Sequence, residues 1–324
     1  MNKWMDRCSI YLWAWLLVSL SVACTDDREV FGEYRPSDVI AFKASLHNDV
    51  QAVVGRGVSS YLSIEEEEWL LETVEHKDSR GTVVSALNDV NVGVFGYIAS
   101  DNTEVFHNAS FTFKDNENLL PDAGSSKAWN DDGVKDKGLK FYTYAPRMEN
   151  ITVSGAAAEA GPGFTYTVSS VVAEQKDIIA SDMKEVEANY NQYIPLIFSH
   201  VLTGVRFKLG NFESPVKVTS LKVEGVYGTG TYTLGDAWNI AEDATTVSFE
   251  LIKNGTNTYN EGDVLTDGEN TLMMIPQLLP GGSKVVLTYE MGGQTGTREA
   301  SLAGLKWEPG KLITYTINHY HRHR

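Results

Sequence analysis

The stretch Val285-Val286-Leu287-Thr288-Tyr289-Glu290-Met291 places large apolar side chains at alternate positions. A period of two is typical of a β-strand with one face toward a core and the other toward solvent. Glycine pairs stand near both ends of the stretch, Gly281-Gly282 before it and Gly292-Gly293 after it, and such pairs indicate turns. The sequence therefore predicts a half-buried strand that is bounded by two turns.

The same alternation recurs along the chain. It is found in Phe164–Val168, Val205–Leu209, Val247–Leu251 and Leu312–Ile317. Many short strands separated by turns favour β-sandwiches over other fold classes. We therefore expect a mainly β protein with two antiparallel β-sandwich domains.

Two short helices are also expected. The first begins at Ser63, which forms a capping box with Glu66 and precedes an apolar stripe that includes Leu70, Leu71 and Val74. The second spans residues 182–190, where Met183, Val186 and Tyr190 follow helical spacing. The strand pattern resumes at Ile194, so we place a domain boundary at 186–193. This predicts an N-terminal domain of residues 36–185 and a C-terminal domain of residues 194–317.

The start of the chain is typical of an export signal. Lys3 and Arg7 precede a short apolar run, which ends in Ser21-Val22-Ala23-Cys24. This ending resembles a bacterial lipobox, in which the cysteine is acylated and becomes the first residue of the mature chain. Residues 1–23 are thus expected to be a lipoprotein signal peptide, Cys24 the lipidation site, and residues 24–35 a tether. Ordinary secretion and an uncleaved anchor remain the alternatives.

Composition narrows the possible functions. The chain has 324 residues and a formal net charge of −16, which argues against a nucleic-acid partner. Cys8 and Cys24 are its two cysteines, so the mature fold is expected to have no disulfide. Nucleophile elbows, zinc-protease motifs and phosphate-binding loops are absent from the sequence. We expect neither an enzyme nor a cofactor.

A few residues qualify as candidate ligand-binding groups. Trp129 lies in a polar segment, where its ring would either stack on a ligand or fold over the edge of the sandwich. His200 stands among apolar residues, which favours a buried histidine that bonds to neighbouring backbone groups over a catalytic base. The alternating residues His319, His321 and His323 could hold a metal on one strand face, but a frayed terminus is the favoured interpretation, and we predict no metal site.

Several segments together resemble the fimbrillin-like proteins of Bacteroidetes, a pilin superfamily. The resemblance follows the family order over almost the whole mature chain. Its segments are Val92–Tyr97, Phe141–Pro146, Gln175–Ala180, Pro195–Phe207, Leu272–Gln277 and Trp307–Lys311. The resemblance implies two transthyretin-like sandwiches and a role in a cell-surface pilus, with other pilus subunits as partners. It also implies an outer-membrane lipoprotein that becomes part of a fimbrium after processing.

In that family an arginine-specific protease removes the first strand, and a strand from the next subunit replaces it. The expected cut here lies between Arg56 and Gly57, after a first strand at Val39–Ala44, and Arg80 is the competing site. The segment after Ile317 lacks an alternating apolar set, which favours a tip or minor subunit over a repeating shaft subunit. An anchor subunit, a stand-alone glycan- or protein-binding lipoprotein, and a surface hydrolase are the alternatives.

Overall fold

In the computed structural model, the described residues are 39–47, 70–75, 87, 90–115, 117–148, 153–154, 161–190 and 192–319. Almost all of the regular structure in these ranges is β. The first strands are β1 (Phe42–Leu46), β2 (Leu70–Glu75), β3 (Asn91–Ile98), β4 (Glu104–Phe113), β5 (Asn118–Pro121), β6 (Leu139–Ala145), β7 (Val153–Ser154), β8 (Gly163–Thr167), β9 (Ile179–Ser181) and β10 (Lys184–Val186).

The remaining strands follow in chain order. They are β11 (Ile194–His200), β12 (Thr203–Leu209), β13 (Val216–Tyr227), β14 (Thr229–Thr233), β15 (Trp238–Asn239), β16 (Thr246–Lys253), β17 (Thr258–Tyr259), β18 (Leu272–Met274), β19 (Gln277–Leu278), β20 (Lys284–Met291), β21 (Gln294–Ser301), β22 (Lys306–Trp307) and β23 (Leu312–Ile317). A single 3₁₀ turn at Val172–Glu174 is the helical element of the described residues. None of their helices is long and apolar enough to cross a membrane.

One sheet closes on itself. Its strand order is β10-β6-β3-β4-β5-β1-β11-β9, and a further pairing of β9 with β6 completes a ring. The ring encloses an aromatic-rich core in which Phe42, Phe111, Phe141 and Phe198 are almost fully buried. Closure leaves the core strands without open edges, which protects the backbone groups that an open edge would expose.

Strands mostly from the second half of the chain, together with β2 and β7, form smaller sheets around another apolar core. One has the order β18-β12-β23-β2, and another has the order β16-β13-β20-β21 with β17 beside β13. The remaining sheets are β15-β14-β8-β7 and the pair β19-β22. Phe207 stacks on Tyr315 with ring centroids 5.8 Å apart at the centre of this second core.

The sheets confirm the predicted mainly β, sandwich-like fold. The stretches with clear alternation lie in strands, except that Val168 follows the end of β8, and Gly292 and Gly293 have positive φ in the predicted turn between β20 and β21. Two pairings differ from a purely antiparallel arrangement, because β1–β11 and β12–β23 are parallel. Strand β11 follows the predicted domain boundary, yet it pairs within the ring; the division at 186–193 stays a prediction.

The helix predicted from Ser63 onward is wrong over residues 70–75, which form β2. This strand pairs in antiparallel register with β23 along its whole length, from Leu70 opposite Ile317 to Glu75 opposite Leu312. The ladder satisfies the backbone groups of the segment, and this long-range pairing overrides the local helical pattern. Residues 63–69 lie outside the described residues.

The second predicted helix, at residues 182–190, is also wrong. Strand β10 occupies its centre and pairs with β6, and Val186 is buried against the ring core. The segment then turns at Asn189, whose φ of 58° is incompatible with a right-handed helix. Valine has a weak helix preference, so the pairing decides the conformation here as well.

Strand β2 brings a carboxylate into the second core. Glu72 is 9% exposed, and burial raises the pKa of its carboxyl group, while its hydrogen bond with Tyr315 opposes the increase. Trp307 in turn donates its Nε1–H to the hydroxyl of Tyr315 over 3.1 Å. The buried hydroxyl of Tyr315 has a pKa well above its ordinary value because of burial, with a further increase from Glu72.

We predict that Glu72→Gln changes the pH dependence of stability. A carboxyl group with a raised folded-state pKa holds its proton more tightly when folded. Its contribution therefore favours folding at low pH and is lost as the pH rises from the ordinary value of 4.5 through the folded-state pKa. Glutamine keeps an oxygen acceptor for Tyr315 but carries no charge, so the variant should be stabilised relative to the parent at neutral pH.

Urea unfolding at acidic and neutral pH measures this difference. Glu187→Gln is the matched control, because Glu187 is exposed. Parallel stability curves for the parent and Glu72→Gln across the pH range would contradict the prediction.

Candidate functional site

The position of β1 distinguishes it from the other strands of the ring. It lies between β5, with which it is antiparallel, and β11, with which it is parallel. Three residues before the start of β1, Val39 forms an isolated bridge with Ala128. A strand from the very start of the described residues therefore fills an internal position in a sheet whose other members come from much later in the chain.

The inward face of β1 supplies a central part of the ring core. Ile40, just before the strand, and Phe42 are completely buried, and Ala44 is 2% exposed. Within β1 these buried residues alternate with the exposed Lys43 and Ser45, as the pleat imposes. The ring of Phe42 meets Phe111 and Phe141 edge-on, with centroid distances of 5.3 and 5.1 Å. Edge-to-face aromatic contacts add to the stabilisation from burial.

Backbone hydrogen bonds hold β1 on both edges. Ala44 donates its N–H to the carbonyl of Glu117 at 2.8 Å, and Ile40 donates to Lys127 at 2.9 Å. On the opposite edge, Ile194 donates to the carbonyl of Ala41 at 3.0 Å. Removing this segment would leave donors and acceptors unpaired on two neighbouring strands at once, next to an emptied apolar groove.

The outward face of β1 is polar. Lys43 lies 2.7 Å from the carboxylate of Glu117, and this hydrogen bond and charge raise the pKa of the lysine. Both side chains are well exposed, so the pair adds little to stability. The segment thus has one face for a groove and one face for solvent.

The predicted processing residues lie outside the described part of the chain. Cys24, Arg56, Gly57 and the competing Arg80 all belong to ranges that the structure does not describe. The first strand, predicted at Val39–Ala44, is found at Phe42–Leu46 with Val39 in a bridge. Ser45, which is exposed, and Leu46, which packs against the ring core, extend the ladder opposite Ile197 and Phe198.

Trp129 does not provide the exposed ring that ligand stacking requires. It is 3% exposed and packs on Tyr190 with a centroid distance of 6.4 Å. A turn holds the segment against the ring: Ala128 donates its N–H to Asp131 at 2.9 Å and also bridges to Val39. The indole is part of the buried core of the closed sheet.

The histidines bond to side chains. His200 is half-buried, and its Nδ1 lies 2.5 Å from a carboxylate oxygen of the buried Asp177. His319 is 8% exposed and its Nε2 lies 3.2 Å from Arg298; burial, and then Arg298, lower the pKa of His319. His321 and His323 lie outside the described residues, among which no cluster of metal-binding side chains occurs.

A second pairing was not foreseen from the sequence. Strand β2 covers the outer edge of β23, while β12 pairs with its other edge. The sequence of β2, Leu70-Leu71-Glu72-Thr73-Val74-Glu75, does not alternate between apolar and polar residues, so it gave no clear strand signal. The two earliest strands thus both complete sheets built from later parts of the chain.

Comparison with known proteins identifies a family and a fold. The sequence model of the Fimbrillin-like family matches residues 82–321. A candidate cell adhesion protein from Bacteroides uniformis has a similar structure, with a TM-score of 0.51 and 16% identity, over 87% of this chain and 93% of that chain. A second such protein, from Bacteroides ovatus, gives a TM-score of 0.50 and 15% identity, over 86% of this chain and 91% of that one. No curated protein matches the chain.

We predict that Phe42→Ala destabilises the full-length chain by about 3–5 kcal/mol, because it empties a fully enclosed aromatic site. The change should be measured by urea unfolding, and the exchange of the β1 amides with deuterium should accelerate. Lys43→Ala on the outward face of the same strand is the control and should leave both observables close to those of the parent. A similar loss of stability in both variants would contradict the conclusion that the inward face of β1 holds this strand in its groove.

Proposed function

Because this chain belongs to the fimbrillin-like family, we propose that it is a structural and adhesive subunit of a cell-surface pilus, joined to its neighbours by strand exchange. The observation that carries this proposal is the internal position of β1, held on both edges and buried on one face. In the proposed mechanism β1 occupies the acceptor groove until proteolysis releases it.

Release of β1 would leave unpaired backbone groups and an open apolar groove, both of which favour the binding of a replacement strand. Strands β5 and β11 each lose a partner, and the space vacated by Ile40, Phe42 and Ala44 is lined by aromatic and aliphatic side chains. An extended segment with alternating apolar residues meets both requirements, because its backbone completes the ladders and its side chains fill the groove. A neighbouring pilus subunit is the proposed donor.

The pairing of β23 supports a tip or minor subunit. This strand is parallel to β12 on one edge and antiparallel to β2 on the other, and Ile313, Tyr315 and Ile317 are buried in the second core. Donating it to a neighbour would break two ladders and expose these side chains. The subunit is therefore proposed to accept a strand without giving up β23.

We further propose that the precursor is attached to the outer membrane through an acylated Cys24 and is exposed on the cell surface. Cleavage after Arg56 would separate this lipid and β1 from the rest of the chain, which would then join the fimbrium. If the chain is never cut, the lipid remains, and an anchor subunit or a stand-alone binding lipoprotein becomes the working hypothesis.

We predict that protein released from the cell surface begins at Gly57. Intact mass and N-terminal sequencing test this, with Arg56→Ala and Arg80→Ala as a pair of variants. A cut after Arg56 removes β1 and leaves β2 in place, whereas a cut after Arg80 removes both strands. Arg56→Ala should therefore block release and Arg80→Ala should not. A mature chain that still begins at Cys24 would contradict the proposed cleavage after Arg56.

We also predict that β1 is exchangeable after cleavage. The chain is cut after Arg56 in vitro, so that the N-terminal fragment containing β1 is held only by non-covalent contacts. The cut protein is then mixed with a fluorescent peptide of residues 38–47. The peptide should displace the N-terminal fragment and stay bound to the rest of the protein during gel filtration. The same peptide with Phe42→Asp should fail, because it would bury an unpaired carboxylate. Equal binding of both peptides, or of neither, would count against strand exchange at this groove.

A further inference from the structure

The described residues form a cavity of about 540 Å³. Its walls come from the end of β11, the β14–β15 hairpin and the β19–β22 pair. The residues that matter here are His200, Tyr232, Asp236, Trp238, Gln277 and Lys306. The volume lies within the range typical of small-ligand sites, and aromatic walls with a few polar groups are typical of such sites.

An aromatic cluster holds Trp238 in one orientation at the cavity wall. Its Nε1–H donates to the carbonyl of Val201 at 2.7 Å, and its ring lies 5.0 Å from that of Tyr232. Phe164 meets the indole edge-on at 6.3 Å, and Tyr166 lies 6.2 Å away. The indole is half-buried by these contacts, so a ligand would meet a flat surface that needs no reordering on binding.

Polar groups are placed around this ring. Asp177, which is 1% exposed, holds His200 at the cavity wall through the 2.5 Å contact with Nδ1. Asp236 is exposed in the turn that precedes Trp238, and Lys306 lies on β22 with its ammonium 3.2 Å from Glu308. Donors and acceptors are both present, and the charge of Lys306 is matched by a neighbouring carboxylate.

The rim is apolar on one side. Leu278 is 66% exposed beside Lys306, to which it is paired in the β19–β22 ladder, and Pro276 and Pro309 stand next to it. Gln277 uses its amide to bind the backbone of Tyr227 in both directions, at 2.9 Å each, which fixes this wall. The cavity thus has rigid walls and an accessible mouth.

From this arrangement we infer that the cavity binds a carbohydrate, with the C–H face of one uncharged pyranose on Trp238 and its hydroxyl groups toward Asp236, His200 and Lys306. A sugar ring has one apolar face and an edge of hydroxyls that both donate and accept hydrogen bonds, which matches the walls. A purely apolar ligand would cover the exposed carboxylate of Asp236 without offering it a hydrogen bond, and an anionic ligand would meet a lysine that is already paired with Glu308.

Saturation-transfer NMR on the full chain tests this assignment. The probes are the methyl pyranosides of glucose, galactose, mannose and N-acetylglucosamine, each offered singly, and N-acetylphenylalanine amide as an aromatic peptide mimic. At least one sugar should receive saturation, strongest on the C–H protons of one ring face. The absence of transfer to every sugar, or stronger transfer to the aromatic amide, would overturn the proposal.

Variants locate the site. Asp236→Ala should weaken sugar binding about tenfold, which corresponds to about 1.4 kcal/mol. Asp243→Ala removes another exposed aspartate of the same region and should leave binding unchanged. Trp238→Phe keeps an aromatic ring but loses the hydrogen bond to Val201, and it should weaken binding without abolishing the fold. Equal affinities in Asp236→Ala, Trp238→Phe and the Asp243→Ala control would also overturn the assignment.

Discussion

The insertion of β1 between β5 and β11 is the constraint on which the closed sheet depends. Its backbone completes two ladders at once, and Phe42 fills the centre of an aromatic core formed with Phe111 and Phe141. The strand enters the ring from one end of the chain and is followed by residues that carry the candidate cleavage sites. A single peptide-bond cleavage after β1 could therefore separate this structurally central strand from the rest of the chain.

Strand β11 connects the two sites of the molecule. Its residues 194–198 pair with β1 along the acceptor groove, and its last residue, His200, lies at the wall of the cavity beside Trp238. The first site is built from backbone groups and apolar side chains, which suit an extended peptide. The second combines an indole with fixed polar groups, which suit a small polyhydroxylated ligand. Under the two proposals, the subunit would be joined to its neighbours through the first site and would bind a glycan at the second.

The strands with strict alternation were predictable because the pleat itself imposes that period on any half-buried strand. The helices predicted over residues 70–75 and 182–190 were wrong because short amphipathic segments fit either period, and a partner strand decided between them. Trp129 was ambiguous for a related reason: a polar neighbourhood in sequence does not reveal that a bridge to Val39 folds the loop inward. The sequence did not indicate Trp238 as a binding-site residue, because only the fold brings Tyr166, Tyr232 and His200 around it.

By itself, the sequence determined the mainly β class, the turns at paired glycines, the inward and outward faces of the best strands, and the resemblance to fimbrillin-like proteins. These depend on local periodicity or on short motifs in a fixed order. Only the tertiary structure decided that β1 lies inside a closed ring and that β2 covers β23, because these pairings join segments more than a hundred residues apart. Which distant strands become neighbours depends on the packing of the whole core, and no local pattern contains that information.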